Sequence, residues 1–93
     1  MKLPVNYNDI QYPKRREVRN AYINLQGGKC HHCDTPLTHA PADKVQKLPV
    51  NKKLFPKGFF TWPVHLHHDH KTGMTIGAVH SYCNAVLWQY HGE

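Results

Sequence analysis

The sequence predicts a small α+β fold: a helix and a cysteine knuckle, followed by a strand–turn–strand–helix unit. Three observations carry this expectation. Apolar positions recur at helical spacing over residues 14–26, and two strand-like stretches flank a short polar turn within residues 64–84. A Cys-x-x-Cys pair in the first half of the chain is matched by a His-x-x-Cys pair in the second, at the spacing one metal ion requires.

Ninety-three residues allow one domain with a modest core, and chains of this size often need a staple. The whole of 1–93 is read as that domain. It comprises an arm (1–13), a helix with the knuckle (14–34), an insertion rich in proline, lysine and aromatics (35–63), and the strand–turn–strand–helix core (64–91). No apolar run approaches membrane-spanning length, and Met1-Lys2-Leu3-Pro4-Val5-Asn6 lacks the apolar stretch of a secretion signal. Three cysteines cannot all pair as disulfides, so a reducing, intracellular compartment is expected. A net charge of +6 and a pI near 9.4 attract polyanions. Many small proteins are as basic without binding nucleic acid, so charge alone decides nothing.

Pro4, Pro13 and several Asn and Tyr residues leave the first thirteen positions without a period, which predicts an irregular arm. Pro13 stands where a helix can begin, because its missing N–H would be unpaired there anyway. Val18, Ala21, Tyr22 and Leu25 then fall at i, i+3, i+4 and i+7, and Gly27-Gly28 supplies the positive φ that ends a helix. The helix opens with Lys14, Arg15 and Arg16, followed by Arg19. Cations near a helix N-terminus oppose its dipole at a cost of ~0.3–1 kcal/mol each. An anionic partner would explain them, and so would a water-screened face.

Cys30 and Cys33 lie in Gly28-Lys29-Cys30-His31-His32-Cys33. Redox motifs share this spacing, but a redox dithiol needs no second half. His80-Ser81-Tyr82-Cys83 provides one, completing a tetrahedral donor set of three thiolates and one imidazole for a structural zinc ion (Zn2+). Between these pairs, residues 35–63 hold five prolines, and regular structure is unexpected over most of them. Lys52, Lys53 and Lys57 interleave there with Phe55, Phe59, Phe60 and Trp62. Such a mixture grips a nucleic-acid strand through phosphates and stacking. Equally, the rings cap the hairpin while the lysines face water.

The chemistry concentrates in Val-His-Leu-His-His-Asp-His-Lys-Thr-Gly, residues 64–73. Lys71-Thr72-Gly73 reads as the turn, residues 74–79 as the returning strand, and a helix follows from about 81 to 91, stopped by Gly92. Five of the nine histidines fall within residues 64–84. An imidazole with a pKa near ~6.5 takes a proton from water at neutral pH. A divalent cation beside it would stabilise charge developing on a phosphate. Strand alternation, however, places His67 and His68 on opposite faces unless the strand breaks or bulges there.

Together, Cys30-x-x-Cys33, His67-His68-Asp69-His70-Lys71-Thr72-Gly73 and Gly77-Ala78-Val79-His80-Ser81-Tyr82-Cys83-Asn84 resemble the HNH (ββα-metal, His-Me finger) nucleases, particularly the recombination endonuclease VII-like branch. The resemblance spans residues 14–91 apart from the insertion. It implies a small ββα-metal fold and a metal-dependent endonuclease that nicks or cuts DNA, duplex or branched. His68 matches the general base that activates water. His67 stands where the family has an acidic metal ligand, and Asn84 matches the ligand at the start of the helix; His70 would orient the site or bind phosphate.

Cys30, Cys33, His80 and Cys83 match the family's structural zinc set, with His80 in place of a cysteine. Exchanging Asp for His67 gives a softer ligand, so the catalytic divalent cation is left open among Mg2+, Mn2+, Ni2+ and Zn2+. Ile76-Gly77 occupies the place of the family's middle Asn or Arg, which leaves positioning of the base in question. Lys14, Arg15, Arg16, Arg19, Lys52, Lys53, Lys57 and Lys71 are the expected backbone contacts. A phage origin, with the host cytoplasm as location and a homodimer or larger phage assembly as context, follows from the same resemblance. The competing expectation is a non-catalytic, zinc-stabilised module that binds nucleic acid.

Overall fold

The computed structural model describes residues 2–92; Met1 and Glu93, the ends of the domain expected over 1–93, lie outside the described residues. Its helices are α1 (Tyr12–Leu25), the single-turn α2 (Asp43–Gln46) and α3 (Ser81–His91), and its strands are β1 (Val64–His68) and β2 (Thr75–His80). Short 3-10 turns occupy Tyr7–Asp9 and Lys52–Leu54. This is a mixed α/β chain built on one two-stranded antiparallel sheet. No helix among the described residues is long and apolar enough to cross a membrane.

The hairpin pairs Val64 with His80, His65 with Val79, Leu66 with Ala78 and His67 with Gly77, and the register then shifts so that His68 meets Thr75. The unmatched residue is Ile76 on β2, a one-residue bulge that increases local twist. The extra residue is on β2, so β1 keeps its alternation and His67 and His68 stay on opposite faces. In the turn, the Asp69 carboxylate accepts from the amides of Lys71 (2.7 Å) and Thr72 (3.0 Å). Those two donors hold its pKa below the usual carboxylate value.

Pro13 sits in the first turn of α1, and Gly27 and Gly28 adopt φ of +65° and +77° after its end. Val18 and Tyr22 are buried against the sheet, and the Tyr22 hydroxyl donates to the Thr75 carbonyl at 3.2 Å. Leu25, expected to extend that apolar face, is 74% exposed. Gln26 takes its place. Its amide oxygen accepts from the Ala78 N–H at 2.8 Å, and its amide nitrogen donates to the carbonyls of Ala78 (2.9 Å) and Lys29 (2.7 Å). A side chain saturating three backbone groups outcompetes the leucine that ends the helix.

The arm departs from the expectation of irregularity. Val5 accepts from the Thr75 N–H at 2.9 Å, the Tyr7 N–H donates to the Gly73 carbonyl at 2.7 Å, and Asn6 bridges to Met74. The arm therefore saturates part of the open edge of β2, which a two-stranded sheet would otherwise leave to solvent. Residues 35–63 also hold more order than their prolines suggest. Leu37 and Val45 are buried in the core, and the carbonyls of Leu48 and Pro49 accept from the hydroxyls of Tyr82 and Tyr90 on α3.

Gly73 is the position where arm and turn meet. Its φ is +79°, and a Cβ there would lie 2.7 Å from Asn6 Oδ1 and 2.8 Å from Asn8 Nδ2. Gly73→Ala is expected to destabilise the chain by more than about 1 kcal/mol through strain and displacement of the arm. Denaturant melting checks this; an unchanged midpoint would mean the arm is not seated against the turn.

Candidate functional site

Two neighbouring constellations emerge from this frame. In the first, the turn after α1 presents Cys30 and Cys33, β2 ends on His80, and the first turn of α3 brings Cys83. The turn is closed by the Cys30 N–H donating to Thr35 O (2.9 Å) and the Asp34 N–H donating to Cys30 O (2.9 Å), with Asp34 at φ +61°. All four side chains are buried, and their donor atoms lie within 4.8 Å of one another. No disulfide joins the cysteines.

The imidazole of His80 is held in one tautomer. Its Nε2 lies 3.1 Å from the Pro36 carbonyl and 2.9 Å from the His39 carbonyl. Carbonyls only accept, so Nε2 carries the hydrogen, and the Nδ1 lone pair faces Cys33 Sγ at 3.4 Å and Cys83 Sγ at 3.6 Å. The hydrogen bond from the Cys83 thiol draws Cys30 down to about 4 against the effect of burial. The same contact, followed by burial, pushes Cys83 up. Three packed thiols and an oriented lone pair are a donor set that a cation completes by displacing protons. Cys30, Cys33, His80 and Cys83 are thus positioned to bind a metal ion, consistent with structural zinc.

The second constellation is a cleft of about 1180 Å³ between α1, the insertion and the hairpin. His68 lies at its wall in a column of stacked groups. Tyr7 covers one face of His68 at 3.9 Å between centroids and 4° between planes. His70 stacks at 4.9 Å and 15°, and the Arg15 guanidinium sits 4.3 Å from the Tyr7 ring centroid. Burial foremost, then the nearby charge of His70, lowers the pKa of His68 below the ordinary histidine value; His67 and Arg15 add to this. A hydrogen bond to the Leu66 backbone partly opposes the shift. The Tyr7 and His70 stacks orient the ring, and the lowered pKa favours its neutral, proton-accepting form.

Asn84 also lines the cleft, held by His65. His65 Nε2 lies 2.8 Å from the Phe59 carbonyl and so carries its hydrogen, leaving Nδ1 to accept from Asn84 Nδ2 at 3.1 Å. Burial, the largest influence, keeps His65 below its usual pKa, with the charge of Arg19 adding to it. The amide oxygen of Asn84 is then the end left for a ligand.

The remaining expected residues divide. Arg15, Arg16, Arg19 and His70 line the cleft with His68 and Asn84. His67 does not: it is 3% exposed, opposite Gly77, and off the cleft lining. Lys14 pairs with Glu17 at 3.5 Å on the outer face of α1. Lys52 lies 5.6 Å from the Phe60 ring centroid, and Lys53, Lys57 and Lys71 are exposed; none of these lysines lines the cleft. The cationic wall comes from α1 alone. Reading the sequence missed Tyr7, whose stack joins positions far apart in the chain and leaves no local pattern.

Compared with protein-family models, curated proteins and solved structures, the chain matches none.

Removal of the metal should abolish the cooperative melting transition, because binding free energy at such a site is folding free energy, on the order of 10 kcal/mol. His80→Cys should retain one metal ion per chain, whereas Cys83→Ala should lose it. Chelation followed by calorimetry and elemental analysis checks both; an intact transition in the stripped chain would contradict the assignment.

Proposed function

We propose that the chain is a metal-dependent endonuclease of the HNH type that hydrolyses DNA phosphodiester bonds, with His68 as general base. The observation that carries this reading is an imidazole clamped between Tyr7 and His70 in a cleft that three arginines also line. Arg15, Arg16 and Arg19 hold a phosphodiester by its oxygens. His68 accepts a proton from the attacking water as the new P–O bond forms and the leaving alkoxide departs. Tyr7 is a positioning residue that fixes the plane of His68. The motif resemblance extends the proposal to a phage or mobile-element origin.

A divalent cation would supply charge stabilisation at the phosphate. Of the two ligands expected to hold it, Asn84 lines the cleft and keeps an amide oxygen available. His67 is buried and off the lining, so the pair does not fit a cation within the cleft as drawn. That mismatch favours the second reading, a zinc-stabilised nucleic-acid-binding module without hydrolytic activity.

Incubating supercoiled plasmid with the purified chain and Mg2+, Mn2+ or Ni2+ separates the two. Metal-dependent nicking is expected, reduced about 10²-fold or more in His68→Ala. Asn84→Ala should weaken divalent-cation binding without changing zinc content. Failure to nick with any metal, together with retained DNA binding, would overturn the nuclease reading in favour of the module.

A further inference from the structure

The cleft is larger and more aromatic than a grip on one phosphate requires. Its volume of about 1180 Å³ exceeds the ~300–1,000 Å³ of a small-molecule site, which suits an extended ligand. Tyr12, Trp62 and Trp88 stand on its border at 77%, 64% and 41% exposure. Several large rings left in water around one concavity mark a surface that is covered in use. Phe55 packs beside one of them, meeting the Trp88 ring at 5.4 Å, and in turn meets Phe59 at 4.7 Å.

Arg15, Arg16 and Arg19 of α1 line the same cleft, and among the described residues no acidic one does. Arg15 Nε is buried without a hydrogen-bond partner among the described residues. An occupant that brings both anionic oxygens and flat apolar faces complements this lining. A closed duplex offers the first and hides the second, since its base faces are stacked on one another. An unpaired strand offers both.

We propose that this cleft takes an unpaired segment of nucleic acid, a single strand or the strand freed at a branch, with bases stacked on Tyr12, Trp62 and Trp88 and phosphates on the α1 arginines. The proposal rests on the nucleic-acid part of the functional reading and is independent of whether the chain hydrolyses the strand. Base–aromatic stacking of ~1–3 kcal/mol per base sets the scale.

The test uses the full zinc-loaded chain with no other divalent cation added. Its affinity for a labelled oligothymidylate is compared with that for a blunt duplex of equal length by fluorescence anisotropy. The single strand should bind at least about tenfold more tightly, and Trp62→Ala and Tyr12→Ala should each cost it about fivefold or more, the low end of the stacking range. Both side chains are mostly exposed, so melting and zinc content should be unchanged, separating lost stacking from lost folding. Equal or tighter binding to the duplex, or an unchanged affinity in both variants, overturns the proposal while leaving plasmid nicking free to stand. Binding to neither nucleic acid overturns it together with the functional reading. A single-strand preference in a chain that nicks no plasmid upholds it and removes only hydrolysis.

Discussion

Convergence of three sulfurs and one imidazole nitrogen on a single point is the constraint from which the remaining geometry follows. The largest fully buried side chains are Val18, Val45, Val79, Val86, Cys30 and Cys83. No buried ring or leucine core dominates; two of the six are thiols of the metal set itself. A core this thin buries too little apolar area to offset the entropy of ordering the chain, which is the usual predicament of small domains. A metal ion compensates with a few strong bonds, and here it would join three places at once: the turn after α1, the end of β2 and the start of α3. His80 is the last residue of the strand, and Cys83 follows within the first turn of the helix. Holding both fixes the angle at which α3 leaves the sheet, and with it the position of Asn84 one residue later.

A second set of contacts transmits that rigidity to the cleft. Gln26 latches the end of α1 to Ala78 in the middle of β2, and Tyr22 reaches Thr75 near the strand's start. The arm closes over the other end of the hairpin through Val5 and Tyr7. His68 is therefore gripped from outside its own strand, by a ring five residues before α1 begins. Metal chemistry and the proposed phosphate chemistry sit on different ends of one sheet, so the first holds the scaffold while the second keeps access to solvent.

Much of this was legible from local signals. Pro13, the pair Gly27-Gly28 and Gly92 mark helix ends through backbone constraints that act on one or two residues. The two x-x-spaced pairs name a donor set because the spacing alone turns both side chains to one side. Other features required partners distant in sequence. Leu25 matched the helical period yet lies exposed, because periodicity does not say where a helix stops meeting the sheet. Tyr7 looked like part of an unstructured arm, and its role arises only once residues 5–7 pair with 73–75. His67 carried the motif's expected ligand position, but its burial opposite Gly77 depends on which face the surrounding elements cover. His65 is the residue that grips Asn84, through a contact between strand and helix that no local pattern announces.

The most direct test of the central constraint is zinc-edge X-ray absorption on the intact chain. A four-coordinate shell of three sulfurs at about 2.3 Å and one nitrogen at about 2.0–2.1 Å is the result expected from Cys30, Cys33, Cys83 and His80. A shell of nitrogen and oxygen with no sulfur would contradict it and detach α3, Asn84 and the cleft from the anchor on which their placement depends.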